Sequence, residues 1–222
     1  MNAPLTEAPL PDAEELNHQR AAIAALGHEL RALVNATVRT AAPADILHRM
    51  TDEVRRLTGQ LTGRQRARAE VPAVDEFPGG LRMYSPVTGD GSPLAPPLRV
   101  TPDDDGIVGR CILGVAHEGP PGYGHGGMSA MLLDEVMGRA CVAAGMPGMT
   151  VSLQVRYHRP VPLETPLLVR ARVTGTEGRK VFVDGSIRAE EDASVAVVTA
   201  DGVFVTPDPD RTRALFPALR DR

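Results

Sequence analysis

The sequence predicts an α+β domain in which an antiparallel sheet wraps around one central helix, preceded by a helical N-terminal extension. Three observations lead there. Short strand-like runs separated by turn residues fill the second half of the chain. Only one stretch among them, from about Gly126 to Ala144, has the length and patterning of a helix. The resulting order, β-β-α-β-β-β-β, leaves no second helix to cross over between strands, so the strands pair antiparallel.

The elements follow in order. Residues 1–12 are rich in Pro and Ala and are expected to be disordered. From Asp12 to about Val38, apolar residues recur at Leu16, Ile23, Leu26, Leu30, Leu33, Val34 and Val38, which predicts an amphipathic helix. Pro43 interrupts the pattern, and Asp45 is expected to cap a second helix carrying Ile46, Leu47, Met50, Val54, Leu57 and Leu61. The polar faces mix acids and bases, so both helices are expected to pack onto the domain and not to lie on a membrane. A basic, polar segment spans Gly63–Arg68, and residues 71–97 are dense in Pro and Gly, as in a linker or a loop draped over the surface.

After Pro97 the pattern changes. Leu98–Val100 and Ile107–Val115 read as two strands joined by the turn Asp103-Asp104-Asp105-Gly106. A glycine-rich loop, His117–Gly127, opens the helix, and Gly145, Pro147 and Gly148 end it. Residues 151–158 alternate strictly, with Val151, Leu153, Val155 and Tyr157 on a buried face and Ser152, Gln154, Arg156 and His158 on a polar one. Strands near Leu167–Thr174, Lys180–Ala189 and Ser194–Val205 complete the series. The expected division is therefore a helical extension over 1–70, a linker over 71–97, the sheet-and-helix domain over 98–206 and a tail over 207–222.

Composition narrows the function. The 222 residues are 42% hydrophobic but hold no Trp, four Phe and three Tyr, so the core is expected to be aliphatic. A net charge of −4 and few aromatic platforms speak against nucleic-acid binding. Cys111 and Cys141 make no CxxC pair and read as small core residues in a reducing compartment. No apolar run is long enough to span a membrane, and the N-terminus lacks a signal-peptide pattern, so a cytoplasmic location is expected.

The most informative stretch is the loop His117-Glu118-Gly119-Pro120-Pro121-Gly122-Tyr123-Gly124-His125-Gly126-Gly127 and the helix it opens. A helix start leaves backbone N–H groups unpaired and carries partial positive charge. Gly126 and Gly127 let a ligand approach those donors, which can polarise a carbonyl oxygen. Asp134, the only acid in the first two turns, can act as base or nucleophile. The pattern is that of an enzyme.

Gly119-Pro120-Pro121-Gly122, His125-Gly126-Gly127 with Asp134 nine positions after the histidine, the strand end Val155–Pro162 and Glu177-Gly178-Arg179-Lys180 resemble the hotdog-fold acyl-CoA thioesterases. The closest type is the phenylacetate-pathway/4-hydroxybenzoyl-CoA thioesterase superfamily, over about residues 98–206. The resemblance implies that Gly126 and Gly127 offer N–H groups to the thioester oxygen. It implies that Asp134 activates water or attacks directly, and that Thr150 sits where some members place a hydroxyl that positions the water. Arg156, His158, Arg179 and Lys180 fall where relatives contact coenzyme A. No metal or organic cofactor is implied, and the partners are an acyl-CoA substrate and further copies of the chain, as a dimer or dimer of dimers.

Geometry alone supports the oligomer. Gly127 and Asp134 are seven residues apart on one helix, about 10 Å, too far for both to touch one thioester. A site that uses both must pair the helix start of one subunit with Asp134 of another. His125 is a candidate catalytic base, but as a helix-entry residue it is expected to organise the loop by hydrogen bonding. A metal shared by His117 and His125 lacks a carboxylate or thiol to complete the set. Ser129 lacks the G-x-S-x-G elbow of a serine hydrolase, Cys141 lacks a spaced partner, and Glu135 is expected to be an ordinary surface acid. The alternatives are a non-catalytic acyl-CoA binding module and a hotdog hydratase acting on acyl thioesters.

Overall fold

The structure, a computed structural model, describes residues 12–208 apart from 64, 68–69 and 77–79. The Pro/Ala-rich start, but for its last residue, and the tail beyond 208 lie outside the described residues. Helices α1 (Ala13–Arg39) and α2 (Ala44–Leu61) come first, and strands β1 (Arg99–Asp103) and β2 (Gly106–Ile112) follow. A 3-10 turn (Val115–His117) leads to helix α3 (Gly126–Ala143). Strands β3 (Met149–Tyr157), β4 (Pro166–Glu177), β5 (Lys180–Ala189) and β6 (Val198–Val205) then complete one six-stranded sheet.

Its order is β1-β2-β4-β5-β6-β3, and every neighbouring pair is antiparallel. Helix α3 lies across the sheet and packs against β2, β3, β4, β5 and β6, the hotdog arrangement that the sequence predicts. Leu132, Leu133, Val136, Met137 and Cys141 are fully buried against Leu167, Val169, Val183, Ile187 and Val198. Phe204 is the one aromatic among the largest fully buried side chains, so the core is aliphatic as expected. Gly185 and Gly202 on neighbouring strands make the dent that receives Met137, whose side chain would lie within 3 Å of a Cβ at either position.

The N-terminal region departs from expectation in two respects. Asp45 is not the cap of α2: Pro43 occupies that position, and Asp45 stands in the first turn, where it pairs with Arg49 at 3.2 Å. Its charge there complements the helix dipole. Helix α1 does dock, on a face of Arg20, Ile23, Gly27 and Arg31. Arg20 Nε donates to Val74 O at 2.9 Å, and Arg31 Nη1 donates to Asp90 O and Ser92 O at 2.7 and 2.9 Å. Gly27 is buried against the Asp90–Gly91 backbone. Helix α2, in contrast, buries no residue, so the expected packing of its apolar stripe onto the domain is not found.

Among its described residues the segment 71–97 holds no helix or strand, yet it contributes Val74, Met83, Val87 and Ala95 to the interior. The buried carboxylate of Asp75 pins it, accepting from Met83 N at 2.7 Å and from Arg82 Nε at 2.9 Å. No helix among the described residues is long and apolar enough to cross a membrane.

Candidate active site

The loop before α3 is shaped by its glycines. Gly119 N donates to Tyr123 O and Tyr123 N to Pro120 O, both at 2.9 Å, and the turn needs a left-handed Gly122 (φ 81°). At Gly119 a Cβ would stand 2.8 Å from His125 Cα, so the two limbs of the loop touch. His125 N then donates to His117 O at 2.8 Å, which delivers His125 as the N-cap of α3.

The cap is made by the imidazole, whose Nδ1 accepts from Gly127 N at 3.0 Å. An accepting Nδ1 places the ring proton of the neutral form on Nε2. His125 therefore organises the helix start, as expected. Its bond occupies the Gly127 amide and leaves Gly126 N–H without a partner among the described residues.

Tyr157, at the far end of β3, donates its hydroxyl to Gly126 O at 2.9 Å. Together with Tyr123, Ser129, Arg159 and Val161 these residues line a cleft of about 360 Å³ at the helix start. Ser129 is fully buried, and its Oγ has no hydrogen-bond partner among the described residues. The alternation places Tyr157 on the buried face, but in the structure it is exposed at the cleft, so sequence reasoning missed it as a cleft residue. Ser129 carries a signal in the sequence, a hydroxyl on the helix turn that follows two glycines, and the missing G-x-S-x-G elbow argues only against a nucleophile.

Two turns along α3, Asp134 is half-buried, and its Oδ1 accepts from Thr150 Oγ1 at 2.7 Å. The other carboxylate oxygen, Oδ2, has no partner among the described residues. A bulge makes this contact. Thr150 pairs with Phe204 and Ser152 with Val203, so the register slips by one residue at Val151. The slip turns Thr150 toward α3, whereas unbroken alternation would place it with Ser152 and Gln154 on the outer face. It also overturns the expectation for Val151, which is 61% exposed and not buried.

The four basic residues do not gather in one subunit. Lys180 pairs across to Val205 and Arg156 to Thr199, and those partners are six residues apart on β6, about 20 Å. All are exposed and engaged: Arg156 with Asp201, His158 Nε2 with Thr199 Oγ1 at 2.8 Å, Arg179 with Asp208 at 3.6 Å and Lys180 with Glu177 at 3.8 Å. Exposed pairs of this kind contribute about 0–1 kcal/mol and exchange readily.

The remaining candidates have structural surroundings. Burial pushes the Cys111 thiol up to about 12 and the Cys141 thiol to about 11, so neither is a ready nucleophile. Burial also holds His117 below its ordinary value, against hydrogen bonds involving the Leu94 and Gly114 backbones that act the other way. Glu135 is not an idle surface acid: it pairs with Arg139 at 2.7 Å, and Arg139 reaches Thr88 Oγ1 at 3.1 Å, tying α3 to the 83–92 loop. Among the described residues, no group of three or more His, Cys, Asp or Glu is placed to hold a metal ion.

Comparison with known proteins agrees with this geometry. The family model described as Thioesterase superfamily matches residues 121–196. The chain is 40% identical over 88 residues to acyl-coenzyme A thioesterase THEM4 of Xenopus laevis, covering 40% of this chain and 39% of that protein. To the Mus musculus protein of the same name it is 31% identical over 98 residues, covering 44% and 42%. The chain thus spans about two fifths of the length of these curated relatives. The crystal structure of a thioesterase superfamily protein superposes with a TM-score of 0.74 at 34% identity, covering 82% of this chain and 94% of that one. With that likeness extending over nearly the whole of a solved relative, the chain belongs to the thioesterase superfamily.

Proposed function

We propose that the protein hydrolyses an acyl-CoA thioester to the free acid and coenzyme A. The observation that carries this reading is the pair Thr150–Asp134: one carboxylate oxygen is held by the hydroxyl and the other is left free. The acyl carbonyl oxygen accepts from the start of α3, where Gly126 N–H has no partner among the described residues and Gly127 N–H is held only by the side chain of His125. The helix dipole favours the negative charge that develops there. Asp134 Oδ2 takes a proton from water as its oxygen bonds to the carbonyl carbon. The tetrahedral intermediate then expels the thiolate of coenzyme A, which leaves with a proton.

Because Asp134 and its own helix start are about 10 Å apart along α3, the two halves of the site come from different subunits. Strand β3 supports such a homodimer. It is the last strand of the sheet, its outer edge unpaired among the described residues, and it exposes Met149 and Val151. Edges of that kind pair with another strand unless blocked. Arg156, His158, Arg179 and Lys180 are the proposed contacts to the nucleotide and phosphates. With the two pairs about 20 Å apart within one chain, a single coenzyme A in this reading draws on one pair from each subunit. Buried, unpaired Cys111 and Cys141 suit the cytoplasm. We assign the chemistry to residues 98–206.

The test is steady-state hydrolysis of short, medium, long and aryl acyl-CoAs by the wild type and Asp134→Asn. A fall of about a hundredfold or more in the variant, at unchanged fold and assembly, is expected for loss of a general base. Binding of coenzyme A thioesters without turnover by the wild type would refute the hydrolase and leave a binding module.

A further inference from the structure

Among the described residues, two side chains carry a buried polar atom with no hydrogen-bond partner, His117 Nδ1 and Ser129 Oγ. Of these, Ser129 lines the cleft at the start of α3. It is fully buried, and a buried hydroxyl without a partner costs free energy that a bonded one does not. The other polar side chains around the cleft are accounted for. Tyr157 donates its hydroxyl to Gly126 O, and His158 shares a hydrogen bond with Thr199. Tyr123 and Arg159 are exposed to water. The bonding of Ser129 is left to something that enters the cleft.

Helix geometry says where on a ligand that bond falls. Gly126 and Ser129 are three residues apart in α3, so they lie on one face, ~4.5 Å apart along the axis. Side chains lean toward the N-terminus of a helix, so the Ser129 hydroxyl reaches back over the first turn toward the Gly126 amide. With the thioester oxygen on Gly126 N–H, an acyl atom that bonds Ser129 Oγ stands close to the carbonyl. It belongs to the second or third carbon and not to the end of a long chain. A serine hydroxyl both donates and accepts, so a hydroxyl or a keto oxygen serves. Pro160 and Val161 beside it offer apolar surface to the carbon skeleton.

We propose that Ser129 is a specificity-determining residue that hydrogen-bonds an oxygen on the second or third carbon of the acyl group. The preferred substrates are then oxygenated acyl-CoA thioesters and not plain alkanoyl ones. The proposal rests on the hydrolase reading, which puts the thioester at Gly126.

The test compares butanoyl-CoA with 2-hydroxy-, 3-hydroxy- and 3-oxobutanoyl-CoA as substrates of the wild type and of Ser129→Ala. Intrinsic reactivity differs among the four but cancels in the ratio of the two enzymes. Relative to butanoyl-CoA, kcat/KM for at least one oxygenated thioester should fall about tenfold in Ser129→Ala, the effect of unmaking a hydrogen bond to a buried hydroxyl. Because Ser129→Ala removes a group without a partner, its ligand-free thermal midpoint should be no lower than that of the wild type. A midpoint several degrees lower would give the hydroxyl a partner inside the protein and overturn the proposal. Equal ratios for all four thioesters would leave water, or the pantetheine arm common to them, as the partner and overturn it too. Calorimetric titration of the same four into Asp134→Asn, with and without Ser129→Ala, reads the preference as Kd, and the same tenfold change is expected. If the wild type hydrolyses none of them, the hydrolase reading fails by itself, and that Kd ratio still decides the role of Ser129.

Discussion

Replacing Thr150 by Val removes one hydrogen bond and little else, since Val keeps the branched shape and strand preference of Thr. The bond lost is the 2.7 Å contact to Asp134 Oδ1. A hydrogen bond to an ionised group contributes ~1.5–3 kcal/mol, and the lower figure applies here because Thr150 is exposed and Asp134 half-buried. If the contact serves to aim the carboxylate, that energy appears in the transition state, where 1.36 kcal/mol corresponds to about tenfold in rate. The expected result is a kcat about tenfold below wild type with KM nearly unchanged, measured by thiol release from an acyl-CoA. A thermal midpoint lower by about 2–4 °C per kcal/mol should accompany it. In combination with Asp134→Asn the second substitution should add nothing, because Thr150 acts only through Asp134. Wild-type kcat in Thr150→Val, or losses that multiply in the double variant, would refute the reasoning.

Two further predictions concern stability. A Cβ at Gly27 would stand 2.2 Å from Asp90 O, so Gly27→Ala should loosen α1 by about 1–3 kcal/mol despite the better helix propensity of Ala. Gly59→Ala, with nothing within 4 Å, should instead gain about 1 kcal/mol, and limited proteolysis together with thermal unfolding reads both. The second prediction uses His117, whose folded state resists protonation because burial lowers its pKa from 6.5. The unfolded chain then binds the extra proton first, so His117 makes stability fall as pH drops below about 6.5, until the lowered folded value is passed. Denaturant unfolding from about pH 7.5 to 5 should show a smaller loss in His117→Phe than in the wild type, and equal losses would contradict the burial effect.

The sheet was legible because each strand announces itself locally, by two-residue alternation bounded by turns. Lys180–Ala189 is found at the limits expected, and α3 starts at Gly126 where the loop ends. Other features depend on contacts between distant residues. The bulge at Val151 is set by the pairing of β3 with β6, and nothing in residues 149–158 marks it, so the direction of Thr150 could not be read. The segment 71–97 has no period to read, and the contacts that hold it are long-range bonds from Arg20 and Arg31 together with the buried carboxylate of Asp75, which resembles any loop acid in sequence. In α2 the apolar stripe was legible and its covering was not, since amphipathy states that a face is to be buried without stating against what.

Strand β3 joins these levels. Its bulge end holds Asp134 through Thr150, and its far end holds the start of α3 through the hydroxyl of Tyr157. Seven residues of strand separate the two attachments, about 23 Å, against about 12 Å for the eight residues of helix between Gly126 and Asp134. The strand is fastened to the helix at both ends of the proposed machinery. Beyond it lies no further strand among the described residues. An element that sets both the proposed base and the proposed carbonyl site, placed at an open edge, is the element that a second subunit would grip. Under the proposed reading, assembly and chemistry are governed by the same nine residues, because whatever pairs with the edge of β3 also fixes how Thr150 and Tyr157 meet α3.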